Sequence, residues 1–341
     1  MAKWIGIWMV RGAAVLATAI LGALPAAAGE TVKLSLNFLP HGGHIGFFVA
    51  KEQGFYREAG MEVEILKGEG SADAVRRMAS GVVDFAFADL GSLVVGRSRG
   101  LKVKALGVAA DKDPSVMVSL KSTGIRTPKD LEGKSIGALK ASALRDTWPP
   151  LAAVNNVDVN KVAWVDMPSS AYIASLLAKK VDAIATYVSS VPSYEIQART
   201  IGQEVSIMFY ADFGVDTYGA GIITSEQMLK ERPDLVRRFV QASMRGYAWA
   251  VENPEGAVRA FLKAHPEASL ERVRAEERIQ ADLLITPYAA REGVGHYDEQ
   301  KVLRTRDLML KPRNIDPATI PLKDIYTNEF LPRLFPKRGR P

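Results

Sequence analysis

Residues 32–66 read VKLSLNFLPHGGHIGFFVAKEQGFYREAGMEVEIL and contain the signals of a strand, a helix and a second strand. Apolar and polar residues alternate over residues 32–36, which is the pattern of a half-buried strand. The apolar stretch over residues 44–53 predicts a helix that ends at Gly54, and residues 61–65 alternate again. These signals predict β-α-β units, in which helices cover the faces of a largely parallel sheet.

The same pattern returns 98 residues further along the chain, and the register holds without a gap. Ser71 falls on Ser169, and Asp89 falls on Tyr187. Each copy has a Ser that can cap a helix, an amphipathic helix, and a strand that begins with Val-Asp. A repeat at this distance is too long for a solenoid, so it predicts two similar α/β lobes. The alternative is that any two β-α-β units share such patterns.

We therefore expect an α/β fold with two Rossmann-like lobes joined by two crossover strands. Residues 29–113 would begin lobe I, residues 114–217 would form lobe II, and residues 218–341 would complete lobe I with C-terminal helices. Helical periodicity is strongest after the second lobe. The helices predicted there span residues 233–252, 254–264, 270–285 and 298–310.

Composition excludes several classes of function. The chain has 341 residues, of which 48% are hydrophobic and 24% charged, so it is globular rather than disordered or fibrous. It has no Cys and only four His, which excludes disulfides, thiolate zinc sites and cysteine nucleophiles. Residues 133–135 (GKS) lack the earlier glycine of a phosphate-binding loop, and residues 68–73 (GEGSAD) lack the third glycine of a dinucleotide fingerprint. We expect no catalytic residue, no cofactor and no metal.

The N-terminal sequence predicts export. Residues 1–28 contain Lys3 and Arg11, then an apolar run, then small residues at Pro25-Ala26-Ala27-Ala28, which together are typical of a cleavable signal peptide. The alternative, an uncleaved membrane anchor, is disfavoured because the apolar run is shorter than the roughly 20 residues of a spanning helix. The formal net charge is +6, but the basic tail at 332–340 carries no nucleic-acid motif, so we expect no nucleic-acid partner.

Polar and aromatic residues recur where strands give way to helices. The carboxyl ends of strands in open α/β sheets face a common crevice, so these residues are candidates for ligand binding. Helix N-termini at the same edge would suit an anionic or strongly polar group. A Ser at such a position could equally cap its own helix. The candidates are Asn37, Phe38, Ser71, Asp89, Ser142, Arg145, Trp148, Ser169 and Tyr187.

Two of these candidates carry rings on opposite lobes. We expect Phe38 and Tyr187 to face the cleft, each just past the end of a strand, and to sandwich a flat or apolar part of the ligand. The alternative is that Phe38 belongs to the core. Other charged and polar pairs are given structural roles: His41 and His44 as loop and helix-capping residues rather than metal ligands, and Glu276-Glu277 as a solvated helix face.

Several stretches resemble the sulfonate, nitrate and thiamine-precursor branch of the type II periplasmic solute-binding proteins of ABC importers. They lie at residues 37–56 (NFLPHGGHIGFFVAKEQGFY), 60–64 (GMEVE), 81–86 (GVVDFA) and 127–134 (TPKDLEGK). The resemblance covers residues 31 to 250 and adds His44 to the ligand-binding candidates, because the pyrimidine-binding members carry a matching His.

This chain also departs from the family. The pyrimidine-binding members usually have Trp where this chain has Phe38. Phe38 keeps a ring for stacking but lacks the N–H donor of the indole. Many relatives place a Glu before Pro192, where this chain has Ser190-Val191. The related pyrimidine synthases carry a cysteine-rich motif that is absent here.

The resemblance implies a monomeric periplasmic receptor that closes its lobes over a small molecule and delivers it to an ABC permease in the inner membrane. The implied ligand is a small organic solute, such as a thiamine-precursor pyrimidine or a sulfonate. Two alternatives remain open: a pyrimidine-precursor synthase-like enzyme, and a ligand sensor on the same fold.

Overall fold

The computed structural model describes Met1 and residues 29–339, so the predicted signal peptide lies outside the described residues apart from Met1. Ten strands form two five-stranded sheets. Numbered along the chain, they are β1 Glu30–Ser35, β2 Met61–Leu66, β3 Phe85–Asp89, β4 Val103–Val108, β5 Ser115–Leu120, β6 Ser135–Ala138, β7 Ala163–Asp166, β8 Ala183–Tyr187, β9 Val205–Phe209 and β10 Ala220–Ser225.

The strand order is β2-β1-β3-β10-β4 in the first sheet and β7-β6-β8-β5-β9 in the second. We call the units built on these sheets lobe I and lobe II, and they confirm the predicted two-lobed α/β fold. One strand of each sheet runs antiparallel to its neighbours: β10 in lobe I and β5 in lobe II. Each of these strands enters its sheet directly from the other lobe, without the covering helix that makes neighbouring strands parallel. The lobe boundaries at 114 and 217 stay a prediction.

Helices cover both sheets. The predicted C-terminal helices are confirmed to within one residue at either end. The α-helices are α1 Ile45–Glu52, α2 Phe55–Glu58, α3 Ser71–Ala79, α4 Leu90–Ser98, α5 Ala143–Val154, α6 Tyr172–Leu177, α7 Val191–Thr200, α8 Glu226–Glu231, α9 Pro233–Glu252, α10 Pro254–Ala264, α11 Leu270–Leu284, α12 Ala289–Glu292, α13 Glu299–Leu310 and α14 Leu322–Ile325. No helix among the described residues is long and apolar enough to cross a membrane.

The packing of α1 against α9 fixes the loop that follows β1. A Cβ at Gly46 would lie 2.3 Å from the ring of Tyr247, so only glycine allows this close approach. The Tyr247 hydroxyl then donates to the carbonyl of Gly43 at 2.9 Å. This contact holds a short 3₁₀ turn, Gly42–His44, at the N-terminus of α1. The turn therefore reaches the cleft between the lobes in a defined position.

Two crossing segments join the lobes, and one buried carboxylate ties them together. Asp113 lies on the first segment and accepts hydrogen bonds from the backbone N–H of Ser115 at 2.7 Å and of Thr217, on the second segment, at 3.0 Å. From α13, Lys301 Nζ donates to the carbonyl of Asp111 at 2.6 Å and contacts Asp216 at 3.1 Å. The two segments thus form one braced hinge, which lets rigid lobes move against each other.

Candidate ligand-binding site

A buried hydrogen-bond network centred on Asp89 joins the lobes. Asp89 Oδ2 accepts from Ser71 Oγ at 2.6 Å, from Asn37 Nδ2 at 3.2 Å and, across the cleft, from the Tyr187 hydroxyl at 2.9 Å. His44 Nε2 donates to Asn37 Oδ1 at 3.0 Å. The structure therefore brings together five of the residues predicted from strand ends and from the family resemblance. Within this network their polar groups bond to one another.

Burial sets the charge state of this network. Loss of hydration raises the pKa of Asp89 to about 6, against hydrogen bonds from Ser71 and Tyr187 that lower it. Burial, followed by the nearby Arg272 guanidinium, lowers the pKa of His41 to about 3. Burial also holds the pKa of His44 well below its ordinary value, with His41 adding to the effect. Both imidazoles are consequently neutral at physiological pH.

The neutral histidines bond to the backbone of the loop, but His44 does not cap α1 with its side chain as the sequence predicted. His41 Nδ1 accepts from the backbone N–H of Gly43 at 3.0 Å and from Ser189 Oγ of lobe II at 3.2 Å. The His41 and His44 rings lie 4.2 Å apart between centroids. Among the described residues, no group of three or more His, Asp and Glu side chains could hold a metal ion. The histidines are thus part of the contact between the lobes.

Beside this network, a cavity of about 320 Å³ opens between the lobes. Lobe I contributes the loop after β1 and the segment from the end of α10 into α11, and lobe II contributes β8, α6 and α7. The volume falls within the range of small-molecule sites. The lining residues are Phe38, Leu39, Pro40, His41, Ser169, Tyr172, Ile173, Thr186, Ser190, Ser193, Tyr194, His265, Glu267, Arg272 and Glu276.

Aromatic rings form one wall of the cavity. Phe38 is half-buried and lies 6.0 Å from Tyr172, measured between ring centroids. The hydroxyl of Tyr172 accepts from the backbone N–H of Leu139, which fixes the direction of its ring. Phe38 and Tyr187 contact each other edge to face at 6.2 Å, so no flat group fits between them. The predicted sandwich between Phe38 and Tyr187 is therefore wrong, and Tyr172 is the partner that faces the cavity with Phe38.

An ion pair lies at the other end of the cavity. Arg272 Nη1 contacts Glu276 Oε1 at 3.0 Å, and Glu276 Oε2 accepts from the backbone N–H of Gly42 at 2.8 Å. Glu276 is 1% exposed, and burial raises its pKa to about 7. The interpretation of Glu276-Glu277 as a solvated helix face is wrong, because the turn at Gly42 and the C-terminal segment cover that face of α11. A Cβ atom at Gly42 would lie 2.3 Å from the Cβ of Glu276, so only glycine fits at this position.

Two buried polar atoms on the cavity's lining residues make no hydrogen bond among the described residues. They are Thr186 Oγ1 of lobe II and His265 Nε2 of lobe I. Burial raises the pKa of Tyr194, and the neighbouring hydroxyl of Thr186 opposes this shift, although no hydrogen bond of ordinary geometry joins the two side chains. Buried polar groups without partners are rare in folded proteins. They mark the cavity as a place where a further polar partner would be favourable.

Three predicted residues belong neither to the cavity nor to the Asp89 network. Ser142 caps α5 by accepting from the backbone N–H of Leu144 at 3.2 Å. Arg145 pairs with Asp166 and lies 4.7 Å above the Trp164 ring. Trp148 is buried in the core of lobe II, with its ring edge-on to Trp164 at 5.8 Å. These side chains hold lobe II together in the structure, and their predicted role in ligand binding has no contact to support it.

The N-terminus of α3 does not form the predicted anion site. The backbone N–H of Ala72, in the first turn of α3, donates to the carbonyl of Ala141 in lobe II at 3.1 Å. Gly70 lies directly beside the same carbonyl. This end of the helix therefore contacts the opposite lobe.

Two mixed α/β sheets, a braced hinge and a cavity between the lobes define the fold of the type II periplasmic solute-binding proteins. The alkanesulfonate-binding protein SsuA from Xanthomonas axonopodis pv. citri, solved bound to MOPS, shares this fold with a TM-score of 0.65 at 14% identity. That match covers 90% of this chain and 99% of SsuA. The chain belongs to the NMT1/THI5-like family, whose model matches residues 41–257.

Curated relatives divide between binding proteins and an enzyme. The riboflavin-binding protein RibY of Chloroflexus aurantiacus is 27% identical over 89% of this chain and 86% of its own length. The formylaminopyrimidine-binding protein of Halalkalibacterium halodurans is 24% identical over 75% of this chain and 77% of its own. The 4-amino-5-hydroxymethyl-2-methylpyrimidine phosphate synthase of Legionella pneumophila is 25% identical over 88% of this chain and 92% of its own.

Most residues that line the cavity carry no signal in the sequence that predicts them. Tyr172 and Tyr194 follow Ser169 in the second copy of the repeat, so the repeat could have drawn attention to them. His265, Arg272 and Glu276 carry no comparable signal, because they lie on helices that only the folded chain brings back over the cleft.

Proposed function

We propose that the chain is the periplasmic substrate-binding component of an ABC importer and captures a small, uncharged solute with a flat heteroaromatic ring. The observation that carries this proposal is the 320 Å³ cavity between the lobes, with an aromatic wall and a few buried polar atoms. Such a lining is typical of sites for small organic molecules. The riboflavin-binding and formylaminopyrimidine-binding relatives support it, since both ligands contain a flat nitrogen heterocycle.

The charges around the cavity favour an uncharged ligand. The guanidinium of Arg272 is paired with Glu276, and Glu267 adds a further acidic group beside His265. His41 is neutral because burial lowers its pKa to about 3. The lining therefore offers no excess positive charge for a sulfonate or nitrate, whose recognition requires charge-assisted hydrogen bonds.

Lobe closure is the proposed mechanism of capture. In the structure the lobes already contact each other through Asp89 and Tyr187, through His41 and Ser189, and through Ala72 and Ala141. A ligand in the cavity would add contacts to both lobes only when they are closed. Such differential contact shifts the equilibrium toward the closed form.

A periplasmic location, a monomeric state and delivery to an inner-membrane permease belong to the same proposal. The signal-peptide pattern of residues 1–28 supports export. Osmotic-shock fluid should then contain the processed protein. Recovery of the protein only in membrane pellets would contradict this part of the proposal.

A thermal-shift screen of the protein without residues 1–28 tests the ligand class. The panel consists of riboflavin, aminopyrimidines, alkanesulfonates, nitrate and aromatic acids. A ligand at about 100 times its dissociation constant adds roughly 2.7 kcal/mol to the stability of the folded state, which gives a shift of several degrees. We expect shifts with uncharged ring compounds. Shifts with sulfonates or nitrate alone would contradict the proposed class.

Removing a ring from the cavity wall should weaken binding without unfolding the protein. We expect Phe38→Ala to reduce ligand affinity by about 1 to 3 kcal/mol, because stacking and apolar contact with the ligand are lost. Tyr172 is not used for this test, since it is 2% exposed in the core of lobe II and its truncation would also destabilise the fold. Calorimetric titration measures the loss, and Phe209→Ala, at an exposed site on β9, is the matched control.

The melting temperature without ligand separates this role of Phe38 from a core role. A half-buried Phe38 that serves the ligand should leave that temperature almost unchanged. If Phe38 belongs to the core instead, Phe38→Ala should cost roughly 3 to 5 kcal/mol of stability, and its folded fraction should bind normally.

A synthase-like enzyme is the second candidate, because the Legionella relative, which aligns over 88% of this chain, is a pyrimidine phosphate synthase. The sequence has no Cys, whereas the fungal synthases of the family carry a cysteine-rich motif. An assay for formation of the phosphorylated pyrimidine by purified protein distinguishes the two functions.

A further inference from the structure

On the lobe I side of the cavity, the His265 imidazole has a ring nitrogen without a hydrogen-bond partner among the described residues. Its ring packs against those of Phe48 and Phe261, each 4.8 Å away between centroids. Its Nδ1 lies 3.4 Å from Glu267 Oε1. In the neutral tautomer that carries its hydrogen on Nδ1, toward this carboxylate, Nε2 is a hydrogen-bond acceptor. The Nε2 atom is buried and unpaired among the described residues.

Thr186 provides the complementary group on lobe II. It is 1% exposed, and its hydroxyl has no partner among the described residues, although it lines the same cavity. A threonine hydroxyl both donates and accepts. A ligand that bonds to Thr186 and His265 together would hold the two lobes closed over it.

We propose that His265 and Thr186 are the specificity-determining residues of the cavity and that they select rings with an N–H donor beside a hydrogen-bond acceptor. The N–H would donate to His265 Nε2, and the neighbouring acceptor would receive the hydroxyl of Thr186. Imide, lactam and aminopyrimidine edges have this arrangement. The inference rests on the proposed function and adds the edge of the ring that the protein recognises.

Methylated probes test which edge is bound. The probes are riboflavin against 3-methylriboflavin, and 4-amino-5-hydroxymethyl-2-methylpyrimidine against its 4-dimethylamino derivative. The protein should bind the N–H member of a pair about tenfold or more tightly, because a site built around a hydrogen bond rejects a ligand that lacks it. Methylated probes that bind as tightly as their parents would overturn the inference.

Two variants assign the selectivity to the named residues. His265→Phe keeps a ring packed against Phe48 and Phe261 but removes the hydrogen-bond acceptor. Thr186→Val keeps the shape of the side chain but removes the hydroxyl. We expect His265→Phe to abolish the preference for N–H probes, and Thr186→Val to weaken binding of the parent probe about tenfold. Neither should lower the melting temperature without ligand by much, since neither polar atom makes a hydrogen bond of ordinary geometry among the described residues. His296→Phe, at a half-buried site elsewhere in lobe I, is the control.

The outcomes separate the inference from the function on which it rests. If parent probes bind and His265→Phe keeps the full preference for N–H, the inference is wrong and the function stands. If neither parent probe binds while another class of solute does, the proposed ring class is wrong and the inference fails with it. Loss of the N–H preference in His265→Phe but not in His296→Phe supports the inference.

Discussion

Gly70→Ala should weaken ligand binding by about a hundredfold or more, which is the largest effect expected of any substitution considered. Gly70 lies on the loop before α3 and faces the backbone of lobe II. A Cβ at this position would lie 2.2 Å from the carbonyl oxygen of Ala141. Ala72 donates to that same oxygen at 3.1 Å, so the backbones of the two lobes are in direct contact at this point when the lobes are closed. The substitution should therefore hold the lobes apart, and affinity falls with the population of the closed state.

The control is Gly100→Ala. Gly70 and Gly100 both have positive φ, +114° and +89°, so both substitutions carry backbone strain. Nothing lies within 4 Å of a Cβ at Gly100, so this variant has the strain without the clash. Calorimetry measures affinity, and small-angle X-ray scattering measures compaction on adding ligand. Gly70→Ala should bind weakly and fail to compact, whereas Gly100→Ala should do both normally. Equal affinities in the two variants would show that the lobes do not close at Gly70.

The second large effect is a change in the free energy of unfolding with pH, caused by the titration of Asp89. Burial raises the pKa of Asp89 in the folded protein to about 6 from an ordinary value of 3.8. The folded state therefore binds the proton more tightly than the unfolded state does. The resulting stabilisation is fully present below about pH 4 and is lost as the pH rises through about 6. The shift corresponds to about 2 to 3 kcal/mol between pH 4 and pH 7.

Asp89→Asn isolates this contribution. Other groups titrate in the same range, including Glu276, whose pKa is raised to about 7, and His41, whose pKa is lowered to about 3. Their effects cancel in the difference between the protein and the variant, measured by urea unfolding at several pH values. The protein should lose stability relative to Asp89→Asn as the pH rises. A difference that is constant with pH would show that Asp89 is hydrated and that this side of the cleft is open.

The two-lobed fold could be predicted because its signal repeats. Two β-α-β patterns in the same register place Asp89 and Tyr187 at equivalent strand ends, and in the structure their side chains meet at 2.9 Å. The antiparallel direction of β5 and β10 could not be predicted, because alternation of apolar residues carries no information about strand direction. What decides direction is the path of the chain between the lobes.

The Asp89 network and a small part of the cavity could be predicted for the same reason. Asn37, Ser71 and Phe38 follow strands, and strand ends mark the cleft. Glu276 could not be predicted, since helical periodicity places a residue on a face without showing what covers that face. The covering group is the backbone of Gly42, which has no side chain to leave a pattern in the sequence. The start of α5 predicts that Trp148 lies at the cleft. On the folded helix, however, Trp148 points into the core of lobe II.

A crystal structure with the tightest-binding ring compound from the screen shows directly whether the lobes close over such a ligand. We expect closed lobes, with the ligand in the cavity against Phe38 and Tyr172 and a ring N–H within hydrogen-bond distance of His265 Nε2. A ligand bound elsewhere, such as in the surface groove between α10 and α11, or a ligand held by one lobe while the other stays open, would contradict it.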